Sequence, residues 1–171
     1  AGGITFSLDD KFIFYSKLDK FHRPRKIYRH KIGDNISNDK LIFEEKSDAF
    51  TVGINLTSDE KYFIITSSDH NTSEQYYFKS TEENPEPKLI KKRNKGIIYS
   101  VNSWDNHFYN HTNENAEDFK IDISDSIQDQ NWQPFIPARN EVLIGNCIFL
   151  KNWIIRSETS NALDKLFVKN I

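Results

Sequence analysis

The sequence predicts an all-β fold, a partial β-propeller built from about four blades of antiparallel strands. Three observations predict it. A strand, a polar turn and a second strand recur four times: Ile4–Phe6 into Phe12–Tyr15, VGINL into YFII between Val52 and Ile65, Ile97–Tyr99 into His107–Tyr109, and Val142–Phe149 into Trp153–Ile155. With Asp10, Glu60, Asn106 and Asn152 aligned at the turns, the repeats are spaced by 50, 46 and 46 residues, a period suited to one four-stranded blade. The second strands are continuous apolar runs (FIFY, YFII). A strand with one wet face would alternate instead. A β-sandwich is the alternative for a series of short strands, but it asks for cleaner alternation and no returning register.

The expected blades are residues 4–45, 50–92, 96–137 and 141–171, the last incomplete. In the first, Ser16 to Arg25 is polar and Pro24 bars a helix. Ile27 to Ile32 alternates as a third strand, Gly33-Asp34-Asn35 marks a turn, and Leu41–Glu44 is the fourth strand. In the second, strands are expected near 50–56, 61–67, 74–80 and 87–91, with Pro85 and Pro87 beside an outer edge strand, where a missing N–H costs little. The third has strands near 96–101, 106–111, 117–123 and 132–136, a turn over Ser103–Asn106, and Pro134 and Pro137 at its outer strand. The fourth has strands near 141–150, 152–157 and 163–169, without a fourth. Phe12, Phe14, Phe63, Ile65 and Trp153 are expected in the core, and Tyr76-Tyr77-Phe78 and Trp132 read as inter-blade packing rather than as an exposed binding surface. The chain opens Ala1-Gly2-Gly3 without Met and stops at Ile171 inside a strand, so a fragment of one larger propeller domain is expected.

A net charge of −2 gives no electrostatic case for nucleic acid or an anionic membrane. Lys91-Lys92-Arg93 reads as a solvated turn. Cys147 is alone in an apolar strand, so no internal disulfide forms and an inert buried thiol is the reading. No apolar run approaches the ~18 residues that cross a bilayer. No leader is read at Ala1, and the four N-x-S/T sequons at Asn35, Asn55, Asn71 and Asn110 carry little without one. The expected location is cytoplasmic.

No catalytic, cofactor-binding or metal-binding residue is assigned. A nucleophile elbow, G-x-S-x-G, needs glycines four apart, and Gly2, Gly3, Gly33, Gly53, Gly96 and Gly145 offer no such pair. The same shortage excludes G-x-G-x-x-G and P-loop motifs. His107 and His111 on a strand stand ~13 Å apart, too far to share one ion. The acidic residues Asp9, Asp10, Glu44, Glu45, Asp48, Asp59, Glu60, Glu114, Glu117 and Asp118 read mostly as turn residues, since Asp accepts backbone N–H groups in tight turns.

The segments IYRHKIG, SNDKLIFEE and NLTSDEKYFIIT, between Lys26 and Thr66, resemble the N-terminal propeller of the prolyl oligopeptidase family of serine peptidases, and within it the oligopeptidase B (protease II) group. His30, Gly33, Asp39, Glu44-Glu45 and Ser58-Asp59 carry the resemblance, and it is strongest up to about residue 70. Phe6 with Leu8-Asp9-Asp10 resembles a W-x-x-D turn with Phe in place of Trp, a change expected to keep the packing. Phe135-Ile136-Pro137 with Arg139-Asn140 resembles the blade-closing segment. His30 is read as structural.

The resemblance implies a seven-bladed ring over a C-terminal α/β-hydrolase domain that holds the serine, aspartate and histidine. It implies a non-catalytic propeller that gates peptide substrates, cleaved after basic residues, with some carboxylates facing its channel. A free-standing propeller-type scaffold that binds proteins is the alternative, though Trp104-Asp105, the one Trp-Asp dipeptide, lies at a turn. An open set of blades leaves apolar faces and a bare edge, so the isolated chain is expected to self-associate.

Overall fold

A computed structural model describes residues 2–129 and 131–170. Ala1, Gln130 and Ile171, which figure in the expected chain ends and in the loop from Ser124 to Asn131, lie outside the described residues. The fold is all-β: among the described residues there are four antiparallel sheets and, apart from strands, one short 3-10 turn at Ile36–Asn38. Two compact units form, residues 1–96 and 97–171.

The first unit holds two four-stranded sheets. One runs in the order β1 (Ile4–Phe6), β2 (Phe12–Leu18), β3 (Pro24–Lys31), β4 (Lys40–Glu44); the other in the order β5 (Thr51–Leu56), β6 (Tyr62–Ser68), β7 (Ser73–Lys79), β8 (Lys88–Lys91). Between them Phe14, Ile27, Val52, Ile54, Phe63, Ile65 and Phe78 form one core. Phe14 packs on both Phe63 and Phe78, with centroids 4.6 and 5.5 Å apart, in tilted contacts that favour ring quadrupoles. The Thr5 hydroxyl donates to the Ile54 carbonyl, 3.1 Å away, tying β1 to β5. β6 is buried on both faces at Phe63, Ile64 and Ile65. In β2 only the Phe14–Ser16 face is buried; Phe12, Ile13 and Tyr15 are half-buried.

The turns between first and second strands repeat atom for atom in these sheets. The Ser7 hydroxyl donates to Asp9 (2.7 Å) and accepts from Phe12 N, while Asp9 accepts from Lys11 N. Fifty residues on, Thr57 donates to Asp59 (2.9 Å) and accepts from Tyr62 N, and Asp59 accepts from Lys61 N. Asp10 and Glu60 take the left-handed conformation at φ 56° and 59°, the position where the chain must reverse and where side chains are disfavoured.

Pro24 opens β3 rather than sitting in a loop. A first strand position needs no ladder N–H, and β2 and β3 both run further into the polar stretch than the sequence suggested.

In the second unit, one sheet runs β12 (Gln133–Ile136), β11 (Lys120–Ser124), β10 (His107–Thr112), β9 (Tyr99–Trp104), and a three-stranded sheet runs β13 (Leu143–Leu150), β14 (Trp153–Ser160), β15 (Leu163–Asn170). Tyr109, Ile121, Ile144, Phe149 and Ile154 form their core. The third turn is shorter than expected. Trp104 pairs with His107, leaving only Asp105 and Asn106, at φ 48° and 62°, as a two-residue hairpin loop. β13 carries a bulge between Ile144 and Cys147. Gly145 is required there, because a Cβ would lie 2.1 Å from the Ser157 hydroxyl.

Two core expectations need correction. Trp153 is 42% exposed, because the neighbouring Ile154 takes the inward position opposite Phe149. Phe6 is 55% exposed, so the Phe in the W-x-x-D-like turn preserves no buried packing.

Candidate functional site

The densest polar constellation lies in the first unit, where Glu45, just beyond β4, and Glu74, on β7, converge on Arg93, just beyond β8. Arg93 Nη2 is 2.6 Å from Glu45 Oε2 and 2.9 Å from Glu74 Oε1, and the Arg93 backbone N donates to Glu74 Oε2. Glu45 also accepts from the Ser67 hydroxyl at 2.5 Å and from Ser47 N; Glu74 accepts from the Tyr76 hydroxyl at 2.7 Å. The guanidinium lies 4.0 Å from the Phe50 ring centroid. Burial by itself would raise both carboxyls, but the hydrogen bonds from Ser67, Ser47 and Arg93 hold Glu45 below its ordinary value, and Arg93 and Tyr76 do the same for Glu74. Burial and the neighbouring Glu74 carboxylate push the Tyr76 phenol up to about 12. Two carboxylates share one guanidinium, so the cluster carries net negative charge, fully committed to internal bonds.

Glu45 is therefore more than a turn residue: one oxygen closes its own turn on Ser47 N while the other meets Ser67 and Arg93, and Arg93 is not a solvated one. A run of like charges in sequence hides the residue that folds inward. The available signal was Glu74, an acid in mid-strand just ahead of an aromatic run.

A second buried acid, Glu158 on β14, pairs with Arg156 and Arg139. The remaining sequence candidates scatter. Glu44 pairs with Lys26 at 3.0 Å, Asp48 with Arg25 at 2.9 Å, and Glu117, Asp118 and Arg139 line a shallow hollow.

Two His–Asp pairs invite a catalytic reading. His30 Nδ1 is 2.6 Å from Asp39 Oδ1, and Tyr15 donates to Asp39 Oδ2 at 2.7 Å. Burial raises the Asp39 carboxyl, but the bonds from Tyr15 and His30 outweigh it and hold it below its usual range. His107 Nδ1 is 2.7 Å from Asp125 on an exposed surface. Nucleophilic catalysis needs a hydroxyl or thiol on the far imidazole nitrogen. Among the described residues no serine, threonine or cysteine bonds to either ring. His111 donates from Nε2 to the Ile144 carbonyl at 2.7 Å and stacks on Phe119, so His107 and His111 serve different partners. Burial lowers the His111 pKa and raises that of Cys147 to about 11. Among the described residues no group of three His, Cys, Asp or Glu is placed to hold a metal ion, and no helix is long and apolar enough to cross a membrane.

Residues 2–171 match the family described as prolyl oligopeptidase, N-terminal beta-propeller domain. The chain is 31% identical over 145 residues to Protease 2 of Moraxella lacunata, covering 78% of this chain and 21% of that protein. It is 24% identical over 169 residues to dipeptidyl aminopeptidase BI of Pseudoxanthomonas mexicana, covering 96% of this chain and 23% of that one. In structure it is similar to oligopeptidase B from Trypanosoma brucei with covalently bound antipain, at TM-score 0.92 and 21% identity, over 99% of this chain and 24% of that one. The chain thus spans about a quarter of the length of the proteins it resembles.

Proposed function

Because the chain belongs to the prolyl oligopeptidase family, within its N-terminal β-propeller domain, we propose that it is the non-catalytic, gating part of a cytoplasmic serine oligopeptidase of the oligopeptidase B type. In this reading a C-terminal α/β-hydrolase domain cleaves peptides after Lys or Arg, and the propeller admits peptides while excluding folded proteins. The family match over residues 2–171 carries the reading. The likeness to Protease 2 supports the oligopeptidase B assignment.

The test uses the full-length protein and one Arg-containing sequence presented twice, as a short free peptide and as a surface loop of a stable folded protein. Rapid cleavage of the peptide and none of the loop is the expected result. Equal cleavage of both would remove the gating role. Cleavage after proline but not after Arg or Lys would remove the oligopeptidase B specificity. No hydrolysis of either would favour a protein-binding scaffold.

A further inference from the structure

Arg29, on β3, is only 7% exposed. Other arginines of the first unit end on partners: Arg25 on the Glu45 carbonyl and Asp48, Arg93 on Glu45 and Glu74. Arg29 does not. Its guanidinium lies 4.5 Å from the Phe12 ring centroid, and among the described residues it makes no hydrogen bond or ion pair. A cation over a phenyl ring recovers about 0.5–2 kcal/mol, and no guanidinium nitrogen of Arg29 is both buried and unpartnered, so the charged head of this largely buried side chain stays open to a ligand.

Arg29 and Phe12 line a cleft of ≈ 260 Å3 together with Ser80, Thr81, Glu82 and Glu83. The hydroxyls of Ser80 and Thr81 also have no partner among the described residues. The acids nearby are mostly committed. Asp9, also on the cleft, accepts from Ser7 and Lys11 N and pairs with Lys11 Nζ at 3.0 Å, and Glu82 accepts from Lys79 N. Glu83 is exposed at the rim.

We propose that this cleft is a carboxylate-binding site, in which the Arg29 guanidinium takes both oxygens of a planar carboxylate and the Ser80 and Thr81 hydroxyls donate beside it. The planar fork of arginine matches a carboxylate in two parallel bonds. Three acids, Asp9, Glu82 and Glu83, line the cleft beside Arg29, and they oppose a phosphate dianion more strongly than a singly charged carboxylate. The carboxylate belongs either to a small free acid or to a peptide, as its C-terminus or an acidic side chain; the shared chemistry is the same, and the test separates the sources.

The full-length protein is titrated by calorimetry and followed by thermal unfolding, at matched ionic strength. The probes are propionate, inorganic phosphate, chloride, and one short uncharged peptide made both as its C-terminal acid and as its amide. A carboxylate should bind and raise the Tm, with phosphate and chloride weaker and the peptide amide silent. Binding of the peptide acid alone supports a peptide source; binding of propionate as well supports a free acid. Arg29→Met should weaken carboxylate binding by about tenfold or more, while leaving the ligand-free Tm little changed, because the guanidinium holds no hydrogen-bond or ion-pair partner among the described residues and the methionine keeps the apolar stem. Thr81→Val, at an exposed position, should weaken binding without touching the fold. A Tm indifferent to every carboxylate, or phosphate binding more tightly than propionate, would overturn the proposal. So would a ligand-free Tm that falls sharply in Arg29→Met, which would mean that Arg29 already has a structural partner.

Discussion

Arg93 reaches back 48 positions to Glu45, its Nη2 2.6 Å from Glu45 Oε2, and so fastens the segment after β8 to the segment after β4. That bond joins the end of one sheet to the end of the previous one in the same unit. Its removal should be felt throughout the unit. Arg93→Met leaves Glu45 and Glu74 buried, charged and facing each other. A loss of about 3 kcal/mol is expected from urea unfolding, the range for orphaning a buried ion. Arg93→Lys should fall between, since one ammonium cannot reproduce the fork. A loss below about 0.5 kcal/mol would show that the cluster is not holding the sheets.

The same cluster sets an acid response. Glu45 and Glu74 have depressed folded pKa values, so their stabilisation is fully present above the unfolded value of 4.5 and is lost as the pH falls through the folded values. The unfolding free energy should therefore drop below about pH 4.5, and the drop should shrink in Arg93→Met. An unchanged acid limb in that variant would count against the assignment.

His111 predicts a second, milder slope. Its folded pKa lies below 6.5 because it is buried, with the bond to Ile144 O opposing the shift. Its contribution is present above pH 6.5 and is lost as the pH falls from there through the folded value. His111→Gln should flatten this part of the pH–stability curve, measured by thermal unfolding between pH 7.5 and 5. Retention of the slope would assign it to another group.

Packing predictions divide two aromatics that look alike in sequence. Phe63 is 1% exposed between Phe14 and Phe78, and Phe63→Ala should cost about 3–5 kcal/mol. Trp153→Ala should cost less than about 1 kcal/mol, as befits an exposed side chain. Equal losses in chemical denaturation would contradict the burial pattern.

This contrast marks what the sequence revealed. The recurring turns, the apolar second strands and the proline-bearing edge strands were legible because each is a local signal: Ser7-x-Asp9 and Thr57-x-Asp59 close their turns with their own side chains. Trp153 was misplaced because strand parity, not hydrophobicity, decides which of two adjacent apolar residues faces inward, and parity is set by pairing with β13. Trp104 was assigned to the turn because a loop of two residues looks the same in sequence as one of four until its register is known. Arg93, Glu74 and Arg29 were illegible for a different reason. Their significance lies in partners, or the lack of them, tens of residues away, and composition counts them only as surface charge.

The isolated chain should associate. Leu163, Leu166 and Val168 on β15 are 64, 74 and 60% exposed, and among the described residues β15 pairs only with β14. A long strand with an open edge and apolar side chains recruits another strand. Light scattering should give an apparent mass that rises with concentration, and Leu166→Lys should reduce it. A mass that stays monomeric across the series would mean that β15 is kept apart by another device.

The non-catalytic assignment is tested most directly by labelling the active full-length protein with a fluorophosphonate that reacts with activated serines, followed by mass spectrometry of its peptides. We predict one labelled serine, outside residues 1–171, with every serine of this chain unmodified. A label on any serine within residues 1–171, lost together with peptide hydrolysis when that serine is changed to alanine, would contradict it.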